Sequence, residues 1–142
     1  MKFTPILSLA LLFNGITAED NAASKVLTKD NKDLVKKGLW FVKLYTPSCK
    51  YSRRLAPHWT NITESLRAWS NDAKFNFAEV DCKENSSLCS DLKVDGFPTL
   101  NLFKDGEYQG ECLTREGADE LLICVKDYVD KYQLKAPEKL QV

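Results

Sequence analysis

The chain has 142 residues, 44% of them hydrophobic, with 20 basic and 20 acidic side chains. That apolar share can build one packed domain, and a net charge of zero gives no footprint for nucleic acid or an anionic membrane. Five cysteines and a single histidine, with no CxxC, CxH or HExxH spacing, give no metal-ligand pattern. Residues 1–18 read as a secretory signal peptide. Lys2 supplies the positive charge, Pro5 to Phe13 is apolar but for Ser8, and Ala18 offers a small residue for cleavage before Glu19. The apolar run is about half the length of a membrane span, so no stable membrane anchor is expected. A domain is expected over 19–134, with a polar tail at 135–142 that frays. Lys25-Val26-Leu27 gives a short strand signal. Thr28 is a candidate N-cap for a short helix through Asp33, Leu34 and Val35, which Gly38 ends.

The stretch from Trp40 to Trp59 carries most of the functional signal. Trp40-Phe41-Val42-Lys43-Leu44-Tyr45 is rich in strand formers and short enough for a buried strand. Thr46-Pro47-Ser48 breaks it. Leu55, Trp59, Ile62, Leu66 and Trp69 then recur at steps of four and three, one face of a helix. Cys49 therefore stands where a strand ends and a helix begins. A helix N-terminus presents unpaired N–H groups and about half a positive charge, which stabilise a thiolate. Lys50, Arg53 and Arg54 add positive charge, and Ser52 can turn its hydroxyl toward the sulfur. A buried, inert cysteine is the commoner fate of a free thiol, but three independent features here favour a reactive one. Pro57 should bend the helix. His58, the only histidine, reads as a surface helix residue rather than a ligand or base.

This stretch resembles the thioredoxin-like domain of the protein disulfide isomerase family. The family pattern is a strand, Phe-Tyr-Ala-Pro-Trp, Cys-Gly-His-Cys, then Lys-x-Leu-Ala-Pro. The chain has Leu44-Tyr45-Thr46-Pro47-Ser48, Cys49-Lys50-Tyr51-Ser52, then Arg53-Arg54-Leu55-Ala56-Pro57. The likeness resumes at Val80-Asp81-Cys82 and at Val94-Asp95-Gly96-Phe97-Pro98-Thr99-Leu100, and covers about Val26 to Tyr132. It implies an α/β thioredoxin-like fold, a central mixed sheet flanked by helices. It implies Cys49 as the nucleophile, with Phe97 and a cis Pro98 as the substrate-facing wall. Three residues depart from the pattern. Ser52 replaces the second cysteine, making the motif CxxS; Lys43 stands where the family has a buried Asp or Glu; Ser48 stands where it has tryptophan. Lys43, Lys50 and Tyr51 form the expected surroundings of the thiol. Arg115 is the nearest match to an arginine the family carries before its last helix, though out of register. Exchange passes through a mixed disulfide, which a second thiol normally resolves. Serine cannot do so, and Cys49 would hold a partner until another thiol attacks. Cys-Lys-Tyr-Ser is also similar to the Cys-Arg-Phe-Ser site of a retention chaperone of this family in the endoplasmic reticulum (ER).

Downstream, Phe75 to Asp81 alternates as a strand does. Cys82 and Cys89 follow it; the resemblance implies a structural disulfide there, which a secretory context permits, and the alternative is two free buried thiols. Backbone before Pro98 could pair with an extended peptide. Thr99–Phe103 and Glu107–Leu113 make a hairpin around Lys104-Asp105-Gly106. A last helix runs from about Arg115 to Tyr132, with Leu121, Val125, Tyr128 and Tyr132 as its buried stripe. Cys112 and Cys124 form a second disulfide or stay free, and spacing does not decide. If both pairs form, Cys49 is the thiol left over. Asn61-Ile62-Thr63 and Asn85-Ser86-Ser87 are sequons able to accept glycan. The chain ends Lys-Leu-Gln-Val rather than in a KDEL-type signal, so residence in the ER would need a retention partner.

These readings imply thiol-dependent folding assistance in the ER lumen, by isomerising client disulfides or capturing clients through Cys49. No cofactor is required. The expected partners are secretory proteins with free cysteines or disulfides, and net oxidation or reduction should be weak. The rival reading is a non-catalytic binding module that uses the groove near Pro98. A third is a secreted single-thiol redox protein.

Overall fold

The computed structural model describes residues 22–114 and 117–140. Five strands form one sheet in the order β1-β3-β2-β4-β5: β1 Ser24–Val26, β2 Leu39–Tyr45, β3 Phe75–Asp81, β4 Thr99–Lys104 and β5 Glu107–Glu111. β3 runs parallel to both β1 and β2, while β4 runs antiparallel to β2 and to β5. The sheet is mixed, and helices cover both faces.

The central strand explains the layers. Trp40, Val42 and Leu44 alternate with Leu39, Phe41 and Lys43, and all six are buried. Such a strand needs cover on both sides. On one face Phe41, Phe75, Phe77, Leu100 and Leu102 pack against Leu55 and Trp59 of α1 (Lys50–Ser65) and Leu121 and Val125 of α4 (Ala118–Lys131). On the other, Trp40, Val42, Leu44, Val80 and Phe103 pack against Leu88 and Cys89 of α3 (Ser86–Asp91) and Val35 of a short 3-10 helix, Lys32–Lys36.

Several boundaries differ from the sequence reading. Thr28 does not cap the first helix. Asn31 occupies that position and accepts the Thr28 N–H at 2.7 Å, while the Thr28 hydroxyl accepts from Asp30 N–H. Those bonds close a turn, which short polar side chains do as readily as they cap. The long helix continues through Pro57 and breaks at Leu66, after which α2 spans Arg67–Ala73. β5 ends at Glu111, and Gln109 is left over where Gly110 pairs Leu102 and Tyr108 pairs Phe103. Gly110, at φ 136°, permits that bulge. The hairpin turns at Asp105 and Gly106, with φ 51° and 82°. Val129, rather than Tyr128 or Tyr132, completes the fully buried stripe of α4 with Leu121 and Val125. Residues 135–140 fold back instead of fraying. Trp69 Nε1 donates to the Lys135 carbonyl at 2.6 Å, and Ala136 and Leu140 pack on the core.

Phe41 lies at the centre of an aromatic cluster, 5.3 Å from Trp59, 5.3 Å from Tyr128 and 6.3 Å from Phe77 between ring centroids. The same packing half-buries Tyr128 and pushes its phenol up to about 12. Phe41→Ala should therefore cost about 3–5 kcal/mol in urea unfolding. Ile123→Ala, at a side chain 57% exposed on α4, should stay within about 0.5 kcal/mol.

Candidate active site

Cys49 is the N-cap of α1, in an extended conformation (φ −76°, ψ 127°), and its carbonyl accepts the Arg53 N–H at 3.0 Å. The first turn therefore faces the sulfur with N–H groups that have no partner inside the helix. The Cys49 thiol is held below its ordinary value, and the Ser52 backbone N–H is the largest single cause. Burial works against the shift, while the Tyr51 N–H, the Ser52 hydroxyl and the Arg53 charge add to it. Ser52 is buried, and its hydroxyl accepts the Thr46 N–H at 3.4 Å, tying the end of β2 to the start of α1. Lys50, Arg53 and Tyr51 are exposed around the thiol, and the Arg54 guanidinium lies 5.9 Å from the Tyr51 ring.

The facing wall is the segment before β4. The Phe97–Pro98 peptide is cis, and the Cys49 thiol donates to the Phe97 carbonyl at 3.4 Å. Two side chains that the sequence reading missed hold this loop. The Thr99 hydroxyl donates to the Gly96 carbonyl at 2.7 Å and accepts the Asp95 N–H at 3.0 Å. Asn101 Nδ2 donates to the carbonyls of Leu92 and Lys93. A Thr and an Asn in an otherwise apolar strand were the available signal, since buried polar side chains are there to make hydrogen bonds.

Lys43 lies in β2 with only 4% exposed. Burial pushes its ammonium down, and the Glu79 carboxylate, 3.6 Å away, pulls it back up. Glu79 is its cross-strand partner in β3 and also accepts from the Ser24 hydroxyl, which in turn accepts from Trp59 Nε1 at 2.9 Å. The Lys43 Nζ also sits 4.7 Å from the Tyr45 ring and 5.6 Å from the Trp59 ring. Glu79 was missed too. A lysine inside one apolar strand and a glutamate inside its neighbour were its signal.

Residues 23–127 match the family model for thioredoxin. The chain belongs to the thioredoxin family. Its relatives include protein disulfide isomerases. It is 38% identical over 94 residues to a probable protein disulfide-isomerase ER-60 of Schistosoma mansoni, covering 63% of this chain and 19% of that one. It is 32% identical over 128 residues to a thioredoxin domain-containing protein 5 homolog of Drosophila melanogaster, covering 84% and 30%. The chain thus spans less than a third of either relative. The first two thioredoxin domains of Saccharomyces cerevisiae Eps1p superpose with a TM-score of 0.66 at 26% identity, over 83% of this chain and 44% of that one. The zinc-bound form of human ERp44 gives 0.61 at 24% identity, over 75% and 30%, a likeness of fold alone.

None of the remaining candidates of this thioredoxin domain that the structure describes has a hydrogen bond to the Cys49 thiol, whose partner is the Phe97 carbonyl. Cys82 is bonded to Cys89 and Cys112 to Cys124, with Cα separations of 5.7 and 5.9 Å, which leaves Cys49 free. Asn61 is exposed on α1, whereas the Asn85 amide donates to the Asp81 carbonyl at 3.1 Å. His58 is half-buried. Arg115 and the segment 1–18 lie outside the described residues. Among the described residues no group of His, Cys, Asp or Glu side chains gathers to hold a metal.

Alkylation of Cys49 should follow a thiolate titration whose midpoint lies below the ordinary thiol value of about 8.5. Ser52→Ala should raise the midpoint yet leave it depressed, because the backbone N–H of residue 52 remains. Glu79→Gln should destabilise the fold by about 1–3 kcal/mol at neutral pH, since the Lys43 ammonium loses its counterion while buried. With its folded-state pKa depressed, Lys43 binds fewer protons folded than unfolded. Stability of that variant should then rise with pH toward the unfolded lysine value of about 10.4, as read by urea unfolding along a pH series.

Proposed function

We propose that Cys49 is the sole nucleophile of a thiol–disulfide exchange factor for secretory proteins, which it holds as mixed disulfides. The observation that carries this reading is a free, thiolate-stabilised Cys49 with the Ser52 hydroxyl in the resolving position. In the exchange the Cys49 thiolate attacks one sulfur of a client disulfide, a new S–S bond forms, and the other client sulfur leaves as thiolate. The client thiolate remains in the client, and an external or client thiol later breaks the mixed disulfide. No cofactor enters. Phe97 and Pro98 supply the wall against which an extended client lies.

The ER lumen fits as the compartment, with secretion as the alternative. The signal-like segment at 1–18, two disulfides, and relatives such as a Saccharomyces cerevisiae protein described as ER-retained support this placement. Among the described residues no helix is long and apolar enough to cross a membrane. Glycan attachment is proposed at Asn61 and at Asn85, where the amide must first leave the Asp81 carbonyl. A retention partner would hold the protein in the ER. The binding-module reading draws on exposed Tyr51 and Phe97 beside the thiol, 51% and 38% accessible.

Non-reducing electrophoresis after alkylation tests the reading. Wild type should give client-sized adducts that dithiothreitol removes. Cys49→Ala should give none, and Ser52→Cys should deplete them by roughly tenfold or more by supplying a resolving thiol. A clean monomer in both wild type and Cys49→Ala would leave the binding module as the surviving reading.

A further inference from the structure

The two walls of the Cys49 groove carry opposite charge. On the α1 side, Lys50 and Arg53 are exposed, the first turn holds no acid, and Arg54 lies against Tyr51. The Arg53 charge already reaches the sulfur. On the facing side, Asp95 is exposed two residues before Phe97, within about 7 Å by chain length. Its N–H is fixed by the Thr99 hydroxyl at 3.0 Å, so the loop holds it in place. Glu111, at the end of β5, feels the Asp95 charge, which together with burial pushes its carboxyl up. The 3.4 Å contact from the Cys49 thiol to the Phe97 carbonyl brings the start of α1 and the loop that carries Asp95 together at the sulfur. The α1 side carries an excess of cations, and Asp95 puts a carboxylate on the facing side next to Phe97.

We propose that this groove selects clients by charge order: acidic residues on the side of the client cysteine that lies toward Lys50 and Arg53, and basic residues on the side toward Asp95. The proposal rests on the mixed-disulfide reading above. An extended segment advances about 3.3 Å per residue, so positions two or three from the client cysteine reach both walls. A client of one charge sign is attracted at one wall and repelled at the other. A segment with acids on one flank and bases on the other gains at both walls in one order and loses at both in the reverse. For exposed charges near 7 Å in physiological salt, the two orders should differ about fivefold in rate.

Synthetic peptides of identical composition test this with the full chain. Each carries one cysteine as a 2-thiopyridyl disulfide, with acids before and bases after it, the reverse, or uncharged amides. The Cys49 thiolate attacks the peptide sulfur, the new S–S bond forms, and 2-thiopyridone leaves with the electron pair of the broken bond and takes a proton from water. Its absorbance reads the rate. The two charged orders should differ about fivefold, with the gap shrinking as salt rises. Asp95→Asn should narrow the gap, and Lys50→Glu and Arg53→Glu combined with Asp95→Lys should invert it, each rate referred to that of the uncharged peptide. Equal rates for the two orders, with the uncharged peptide reacting as fast, would overturn the charge-order proposal and leave the mixed-disulfide reading standing. Failure of all three peptides, while 2,2′-dithiodipyridine still modifies Cys49, would overturn both.

Discussion

The structure depends on a strand with no solvent face. β2 is buried on both sides over Leu39–Leu44, so the sheet must be covered twice. That requirement also builds the site. The chain leaving β2 has to turn back over the sheet to cover the Phe41 face as α1, and Cys49 stands at that reversal. β4 runs antiparallel beside β2, with Thr99 opposite Leu44. The start of β4 therefore lies beside the end of β2, and Pro98 and Phe97 arrive at Cys49. A thiol from one loop and a carbonyl from another, 48 residues apart, meet because one strand sets the register of its neighbour.

The same strand carries its one charge. Lys43 belongs to the most buried part of the sheet, where an unpaired ammonium would cost several kcal/mol. Register places Glu79 opposite it in β3, and Ser24 and Trp59 extend the polar chain sideways. Each member satisfies the next, which is the condition for a polar group to persist in a core. The resembling family has a carboxylate at the Lys43 position to serve its second thiol. With Ser52 in place of that thiol there is no proton for such a group to take, and the position is free to hold a structural pair.

The sequence made some of this legible and hid the rest for identifiable reasons. Strand and helix periods placed β2, β3 and the start of α1 to within a residue or so, because apolar spacing there is dictated by burial. Cys49 was readable as a helix-terminal thiol for the same reason. The pairing of Lys43 with Glu79 needed the register of two strands 36 residues apart, which no local pattern contains. The clamps from Thr99 and Asn101 onto the Pro98 loop likewise depend on β4 lying beside that loop. Thr28 misled because the same short polar side chain closes a turn or caps a helix, and only the backbone distinguishes them. The fold-back of residues 135–140 was hidden by lysines and a glutamate interleaved with Ala136 and Leu140, apolar residues that matter only once Trp69 stands opposite.

On the proposed mixed-disulfide reading, Ser52 in the resolving position would not by itself end turnover, and the depressed Cys49 thiol supplies the reason. In a mixed disulfide two sulfurs can be attacked, and the one whose partner leaves more readily as thiolate is favoured. Cys49 leaves well, because the Ser52 and Tyr51 N–H groups and the Arg53 charge stabilise its thiolate. Attack is therefore steered to the client sulfur. When the attacker is a second thiol of the same client, a new client disulfide forms, the bond to Cys49 breaks, and the Cys49 thiolate is restored with no net oxidation. On that reading a client with a well-placed second thiol would be isomerised and released, and one without it would stay bound until an external thiol arrives. The same N–H groups would then serve capture and release, with the geometry of the client deciding between them.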